Sequence, residues 1–255
     1  MGANKLYKYL DAEGGLKMLY YSNLQFTNAT RLNDPFDCHP SLIDFSKVPD
    51  ERLQIWDKET IIRLESNRYE RLRNKAWVCS LSKIYDSLLM WSYYGNHKGI
   101  CVGLDTEKIK KYLSHVGYIE VVVQYEDIIR KPNYFHDHKD YYHYLLSTKA
   151  KAWKHEQEVR LVLLSPTSVF TPMSLPYQPK DENEVIDWKE VRAYPHIGGE
   201  CFDSLYLGIN IEKEQKEDLI KVAKKVNPEI AIYQMAIDPD AFRLKEEFVK
   251  LEKYD

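Results

Sequence analysis

Ala76-Trp77-Val78-Cys79-Ser80-Leu81-Ser82 and Gly99-Ile100-Cys101-Val102-Gly103-Leu104 bracket the stretch that decides the fold class. Both runs are short, apolar and strand-like, the second reading as a buried strand. Between them Asp86-Ser87 caps a short helix through Met90-Trp91-Ser92-Tyr93-Tyr94, which stops at Gly95. Upstream, Lys5-Leu6-Tyr7-Lys8-Tyr9-Leu10 is the first element. Gly14-Gly15 and Met18-Leu19-Tyr20-Tyr21 follow, which suits two short strands flanking a turn or a short helix. Pro49 and Asp50 then open an amphipathic helix to about Lys75, with Leu53, Trp56, Thr60 and Leu64 at helical spacing.

Downstream the pattern predicts a helix from Thr106 to His115, a strand from Tyr118 to Tyr125 and a tyrosine-rich helix from about Asp137 to Lys154. The strand from Glu158 to Leu164 alternates, with Val159, Leu161 and Leu163 on one side and Glu158 and Arg160 on the other. Strands from Ser204 to Gly208 and from Glu229 to Met235, separated by a charged helix from Glu212 to Lys225, complete the sheet. Strand and helix mix without a βαβ rhythm, so the expected class is α+β: mixed or antiparallel central sheets flanked by helices. No repeat, low-complexity tract or linker interrupts the chain, and residues 1–255 read as one domain with a helical insertion at about 48–75.

Composition narrows the function classes. A 255-residue chain that is 44% hydrophobic buries a substantial core. No apolar run reaches the length of a membrane helix, and Lys5 and Lys8 are not followed by an apolar leader, so a cytoplasmic protein without membrane contact is expected. The four cysteines, Cys38, Cys79, Cys101 and Cys201, form no CxxC pair, which suits a reducing compartment and argues against structural zinc. A net charge of −3 gives no overall attraction to nucleic acid, although a local basic groove is compatible with it. Twenty tyrosines and five tryptophans are a heavy aromatic load that serves either a core or planar ligands.

Four segments in order, Leu6-Tyr7-Lys8-Tyr9, Asn33-Asp34-Pro35-Phe36-Asp37, Cys79-Ser80-Leu81-Ser82 with Leu89 to Gly95 and His97-Lys98-Gly99, and Lys149, Trp153, Glu156, Glu158 and Arg160, carry a family resemblance. Together they make the chain resemble the bacterial and phage family called domain of unknown function 2971. More distantly, the order of elements is similar to that of the ADP-ribosyltransferases. That second resemblance implies an NAD-consuming transferase, in the role of a toxin or phage-defence effector, with NAD as substrate, no metal, a protein or nucleic-acid acceptor and an inhibitor or antitoxin protein as partner. Lys8, beside Tyr9, takes the early position where the transferases more often have His or Arg. Ser80, Ser82, Ser87, Trp91 and Tyr94 form the wall around the nicotinamide. Glu158, paired with Glu156 in a Glu-x-Glu, supplies the carboxylate that stabilises the sugar cation.

The same residues support plainer readings. Glu156, Glu158 and Arg160 also suit a solvated strand edge with salt-bridging partners, and Met90, Trp91, Tyr93 and Tyr94 suit core packing. Asn33 to Asp37 suits a turn, with Asp34 free to anchor a neighbouring residue. Lys149 is the odd member of a helical stripe of Tyr142, Leu146 and Trp153, and either snorkels to water or reaches Glu156 or Glu158. His136, His138, His143 and His155 crowd Asp137 and Asp140, and the spacing of His136 and Asp140 suits a chelating pair or merely a wet helix start. The alternatives to the transferase are a metal-dependent nuclease or phosphohydrolase built from Asp34, Asp37, Glu156 and Glu158, or a binding module without turnover.

Overall fold

The computed structural model describes residues 5–114, 117–136, 140–164 and 192–250. Its first half runs β1 (Lys5–Leu10), α1 (Ala12–Tyr21), β2 (Phe26–Asn28), α2 (Asp50–Leu53), α3 (Lys58–Arg73), β3 (Ala76–Ser82), α4 (Leu88–Gly95), β4 (Ile100–Asp105) and α5 (Thr106–Leu113). Then come β5 (Tyr118–Val122), β6 (Gln124–Glu126), α6 (Asp140–Ser147), β7 (Thr148–Ala150), a 3-10 turn (Lys151–Glu156) and β8 (Glu158–Leu164). The tail adds β9 (Arg192–Ala193), β10 (Phe202–Leu207), α7 (Lys213–Val226), β11 (Ala231–Ile237) and β12 (Leu244–Phe248). The architecture is α+β. Among the described residues the main sheet has ten strands in the order β12-β11-β10-β4-β1-β3-β2-β9, with β8 beside β3 and β5 beside β8. Only β10 and β11 pair in parallel within it; the parallel pair of β6 and β7 stands apart.

Alternation along the strands divides the interior by sheet face. Ile100, Val102 and Leu104 of β4 join Val159, Leu161 and Leu163 of β8 in one cluster, covered by Met18 and Leu19 of α1, Ile109 and Leu113 of α5, and Leu219 and Ala223 of α7. On the opposite face Ala76, Val78 and Val162 pack under α3 and α6, while Tyr9, Cys101 and Tyr206 pack under Met90 and Trp91 of α4. Each buried Leu or Val of β8 contributes about 1.5–3 kcal/mol. A one-residue slip would exchange Val159, Leu161 and Leu163 with Glu158 and Arg160, so this alternation fixes the register.

Several expectations need correction. Of the turn or short helix expected at Gly14-Gly15 the helix occurs, and Met18 to Tyr21 is no strand: both lie inside α1, whose start is capped by the Asp11 carboxylate accepting from Gly14 N at 2.6 Å. Gly15 is there for close approach, because a Cβ would sit 2.1 Å from Cδ1 of Ile100. The helix expected to about Lys75 breaks at Gln54 to Asp57, and Asp57 recaps α3 by accepting from Thr60 N at 2.8 Å. Its buried face carries Ile61 and Tyr69, whereas the expected stripe of Leu53, Trp56 and Leu64 is exposed. The strand expected from Tyr118 to Tyr125 divides at Val123, with β5 on β8 and β6 on β7. The helix expected to Lys154 ends at Ser147, and Lys149 sits on β7 in place of a helical stripe. All four cysteines are buried free thiols. No described helix is long and apolar enough to cross a membrane.

Candidate active site

The site forms where the sheet opens. β1 pairs along its whole length with β4, and β3 along its whole length with β8, but β1 and β3 meet only at Tyr7 and Ser82. Beyond that pair the strands diverge, and the Lys8 ammonium spans the gap by donating to the Ser80 carbonyl at 2.9 Å. The divergence leaves a cleft of about 40 Å³. Tyr7, Lys8 and Tyr9 line it from β1, and Ser80, Leu81 and Ser82 from β3. Met90 and Tyr94 of α4 close one side, and Glu156 and Glu158 the other.

Register brings the polar residues of β3 and β8 together, with Ser80 opposite Arg160 and Ser82 opposite Glu158. The Ser82 hydroxyl donates to the Glu156 carbonyl at 2.7 Å and accepts from Ile84 N at 3.2 Å, pinning the strand end. The Tyr125 hydroxyl accepts from Glu158 N at 2.8 Å. These bonds hold both glutamates at one end of the cleft, with the Tyr94 hydroxyl donating to Glu156 Oε1 at 3.3 Å.

Behind them lies a buried charge cluster. Arg160 is 0% exposed and Glu158 2%, so the solvated strand edge does not occur. The Arg160 guanidinium donates to Glu158 Oε1 at 2.8 Å, to Asp37 Oδ1 at 2.6 Å and to the Leu146 carbonyl at 3.0 Å. Lys149 reaches the carboxylates, as one of the two readings had it: its Nζ lies 2.5 Å from Glu156, 3.0 Å from Glu158 and 3.6 Å from Asp37. The ammonium also lies 5.1 Å from the centre of the Trp153 ring. A lysine nitrogen thus lies among three of the four carboxylates that the metal-dependent alternative would use, Asp37, Glu156 and Glu158, while Asp34 stays outside the cluster.

The environments of the carboxyls differ. Burial alone would raise Glu158, but the Arg160 guanidinium and the Lys149 ammonium hold it down to about 2. Burial raises Glu156 more than Lys149 lowers it, and Asp37 is raised by burial against Arg160 and Lys149. Three carboxyls face two permanent cations, so the cluster is neutral when one carboxyl holds a proton and carries one negative charge when none does. Glu158 is the carboxyl held low, Glu156 and Asp37 are the two raised, and of those two Glu156 lines the cleft.

The remaining candidates fall on both sides of the boundary. Lys8, Tyr9, Ser80, Ser82, Tyr94, Glu156 and Glu158 converge on the cleft. Trp91 and Ser87 stand apart from it. The indole is 1% exposed, packs edge-on against Tyr9 at 5.4 Å and donates to the Tyr85 carbonyl at 2.8 Å, while Ser87 caps α4 by accepting from Met90 N. Asn33 to Asp37 is a turn, with Asp34 accepting from Phe36 N at 2.9 Å. The anchoring carboxylate is Asp37 rather than Asp34, and Cys38 beside it has a left-handed backbone with φ 53°. Asp37 joins the cluster from 123 residues away, and Tyr125 has no local sequence signal at all. Asp137 and His138 lie outside the described residues. Among the described residues no group of three or more His, Cys, Asp and Glu side chains is arranged to hold a metal ion.

Fold and site together define an α+β protein organised around a buried lysine–arginine–carboxylate cluster at the opening of a split sheet. Residues 90–161 match the family described as Protein of unknown function (DUF2971). This supports the family resemblance across a span from within α4 to within β8. The matched span includes Tyr94, Lys149, Glu156, Glu158 and Arg160, while Lys8, Asp37, Ser80 and Ser82 lie before it. No curated protein and no solved structure matches the chain.

Proposed function

We propose that the protein consumes NAD in the manner of an ADP-ribosyltransferase, breaking the bond between nicotinamide and ribose at the mouth of this cleft. The observation that carries the reading is the pair Glu156 and Glu158, two carboxyls at one end of one cleft whose surroundings push their proton affinities apart. When the C–N bond breaks, its electron pair leaves with the pyridine nitrogen, releasing neutral nicotinamide and leaving positive charge on the ribose. Glu158, whose proton affinity is depressed by its neighbouring cations, stabilises that cation as a carboxylate. Glu156, with its raised proton affinity, takes the proton from the acceptor hydroxyl or water as it bonds to the ribose carbon.

Lys8 supplies a cation for a phosphate or ribose hydroxyl, and the hydroxyls of Ser80, Ser82 and Tyr94 supply polar contacts within the cleft wall. A cleft of about 40 Å³ is too small to enclose a dinucleotide, so most of the ligand lies along the adjoining surface. An enzyme of this kind serves as a toxin or a phage-defence effector, modifying a protein or nucleic-acid acceptor and held in check by an inhibitor protein.

The test is nicotinamide release from NAD by purified protein with cell lysate added, comparing the unmodified chain with Glu158→Gln. Release by the first and not by the second supports the reading. No release from either, together with no rise in melting temperature on adding NAD, overturns it.

A further inference from the structure

The outer face of α3 carries a basic groove that the cleft chemistry does not use. Ile61 and Tyr69 are buried beneath the helix, which fixes the side that faces out. Leu64, Arg68, Arg71 and Lys75 recur on that outer side at helical spacing, all of them exposed, with Lys75 just past the helix end. Together with Glu65 they line a groove of about 490 Å³. Its charges are unbalanced. Glu65 is satisfied from outside the groove, paired with Arg52 of α2 and accepting from the Tyr134 hydroxyl at 2.9 Å. Arg68 stands 4.0 Å from Glu65 with its side chain 70% exposed, and Glu70 is taken by Arg73. Among the described residues no carboxylate pairs with Arg71 or Lys75.

A chain of net charge −3 thus gathers three cations along one groove. The chemistry of the lining separates the possible partners. The centre of a protein–protein interface is apolar and aromatic and poor in charge, whereas Leu64 is the single apolar residue lining this groove. Interfaces with nucleic acid are polar and strongly basic, as this one is. A bilayer surface would meet the rim of a concave groove and leave its wall unused. Arginine also presents a planar fork that matches phosphate oxygens. From Arg68 to Lys75 the cations extend about 10 Å at 1.5 Å of helix rise per residue, and one nucleic-acid strand places about three phosphates in that length at 3.4 Å of axis each.

We propose that this groove binds the phosphate backbone of a single strand of nucleic acid through Arg68, Arg71 and Lys75. Lys75 immediately precedes β3, and Ser80 of β3 lines the cleft, so the two sites lie roughly 17 Å apart along the strand at about 3.3 Å per residue. Binding at the groove needs no NAD, so it stands or falls separately from the reading of the cleft. If the cleft does consume NAD, a strand held here is placed as its acceptor.

The test is fluorescence anisotropy of a labelled single-stranded RNA of about twelve nucleotides with the full chain, without NAD, over a range of salt. Three phosphate contacts predict a slope of about −2 for log affinity against log salt. Arg71→Gln reduces the slope by about 0.7, and Arg71→Glu weakens binding about ten-fold at low salt. Lys213→Glu, on an exposed lysine of α7, makes the same change in net charge and leaves the affinity within two-fold. Melting temperatures of these variants match the unmodified chain, because the altered side chains are exposed. No binding at low salt overturns the proposal, as does an equal loss from Lys213→Glu and Arg71→Glu in folded proteins. Polyglutamate of equal charge that binds as tightly as the RNA would assign the groove to an acidic protein instead. Phosphatidylserine vesicles that bind where the RNA does not would assign it to a membrane surface.

Discussion

Replacing Arg160 by methionine isolates the energetics of the cluster. The guanidinium is fully buried and donates to Glu158, Asp37 and the Leu146 carbonyl. Methionine fills much of the same volume but leaves the three carboxyls of Asp37, Glu156 and Glu158 with only Lys149 as counter-charge. Removing one member of a buried pair in this way costs about 3–5 kcal/mol, a large part of the roughly 5–15 kcal/mol that holds a domain folded. With a urea slope of about 3 kcal/mol/M, the unfolding midpoint falls by about 1–1.7 M at pH 7.

The loss also depends on pH, with a definite sign. Glu158 has its proton affinity depressed by folding, so its contribution is present above its ordinary value of 4.5 and disappears as pH falls through about 2. The gap between wild type and Arg160→Met therefore narrows between pH 4.5 and pH 2. Adding Glu158→Gln to Arg160→Met removes an uncompensated charge, and the double variant is less destabilised than the sum of its parts. A gap of about 1 kcal/mol or less at pH 7, the scale of an exposed pair, or a gap that does not narrow in acid, refutes the account.

Glu156 has the opposite linkage: burial raises it, so its contribution is full below its ordinary value of 4.5 and is lost as pH rises through its folded value. Glu156→Gln accordingly gains melting temperature relative to wild type as pH rises above 4.5, and a difference that stays constant as pH rises contradicts the assignment. Gly99→Ala places a Cβ 2.2 Å from the Leu10 backbone oxygen, where no flexible side chain can yield, and lowers stability by about 1–3 kcal/mol in urea unfolding; an unchanged midpoint disproves this close approach. Ser87→Ala removes the cap of α4 and costs about 1 kcal/mol, read as a lower melting temperature and faster amide exchange at Met90, and normal exchange there would show that the cap is not formed.

Local pattern was enough for β1, β3, β4 and β8, for the Ser87 cap of α4, and for most of α5 and α7, because strand alternation, capping side chains and helical spacing are written between near neighbours. It also marked Glu158 and Arg160 as sharing a strand face and singled out Lys149 as a charge among aromatic residues. The sequence by itself therefore determined the class of fold and most of the residues that line the cleft.

Tertiary structure decided the rest. Gly14-Gly15 suits a turn or a short helix locally, and only the contact with Ile100 shows why position 15 carries no side chain. The exposed Leu53, Trp56 and Leu64 follow helical spacing as well as buried Ile61 and Tyr69 do, so the buried face of α3 was set by what packs on it. Asp37 meets Arg160 across 123 residues, and Lys149 enters the cluster because pairing of β7 with β6 ends α6 early. The charges of Glu156 and Glu158 follow from that assembly: proton affinity depends on burial and on cations within a few ångströms, quantities that exist only once distant segments have met.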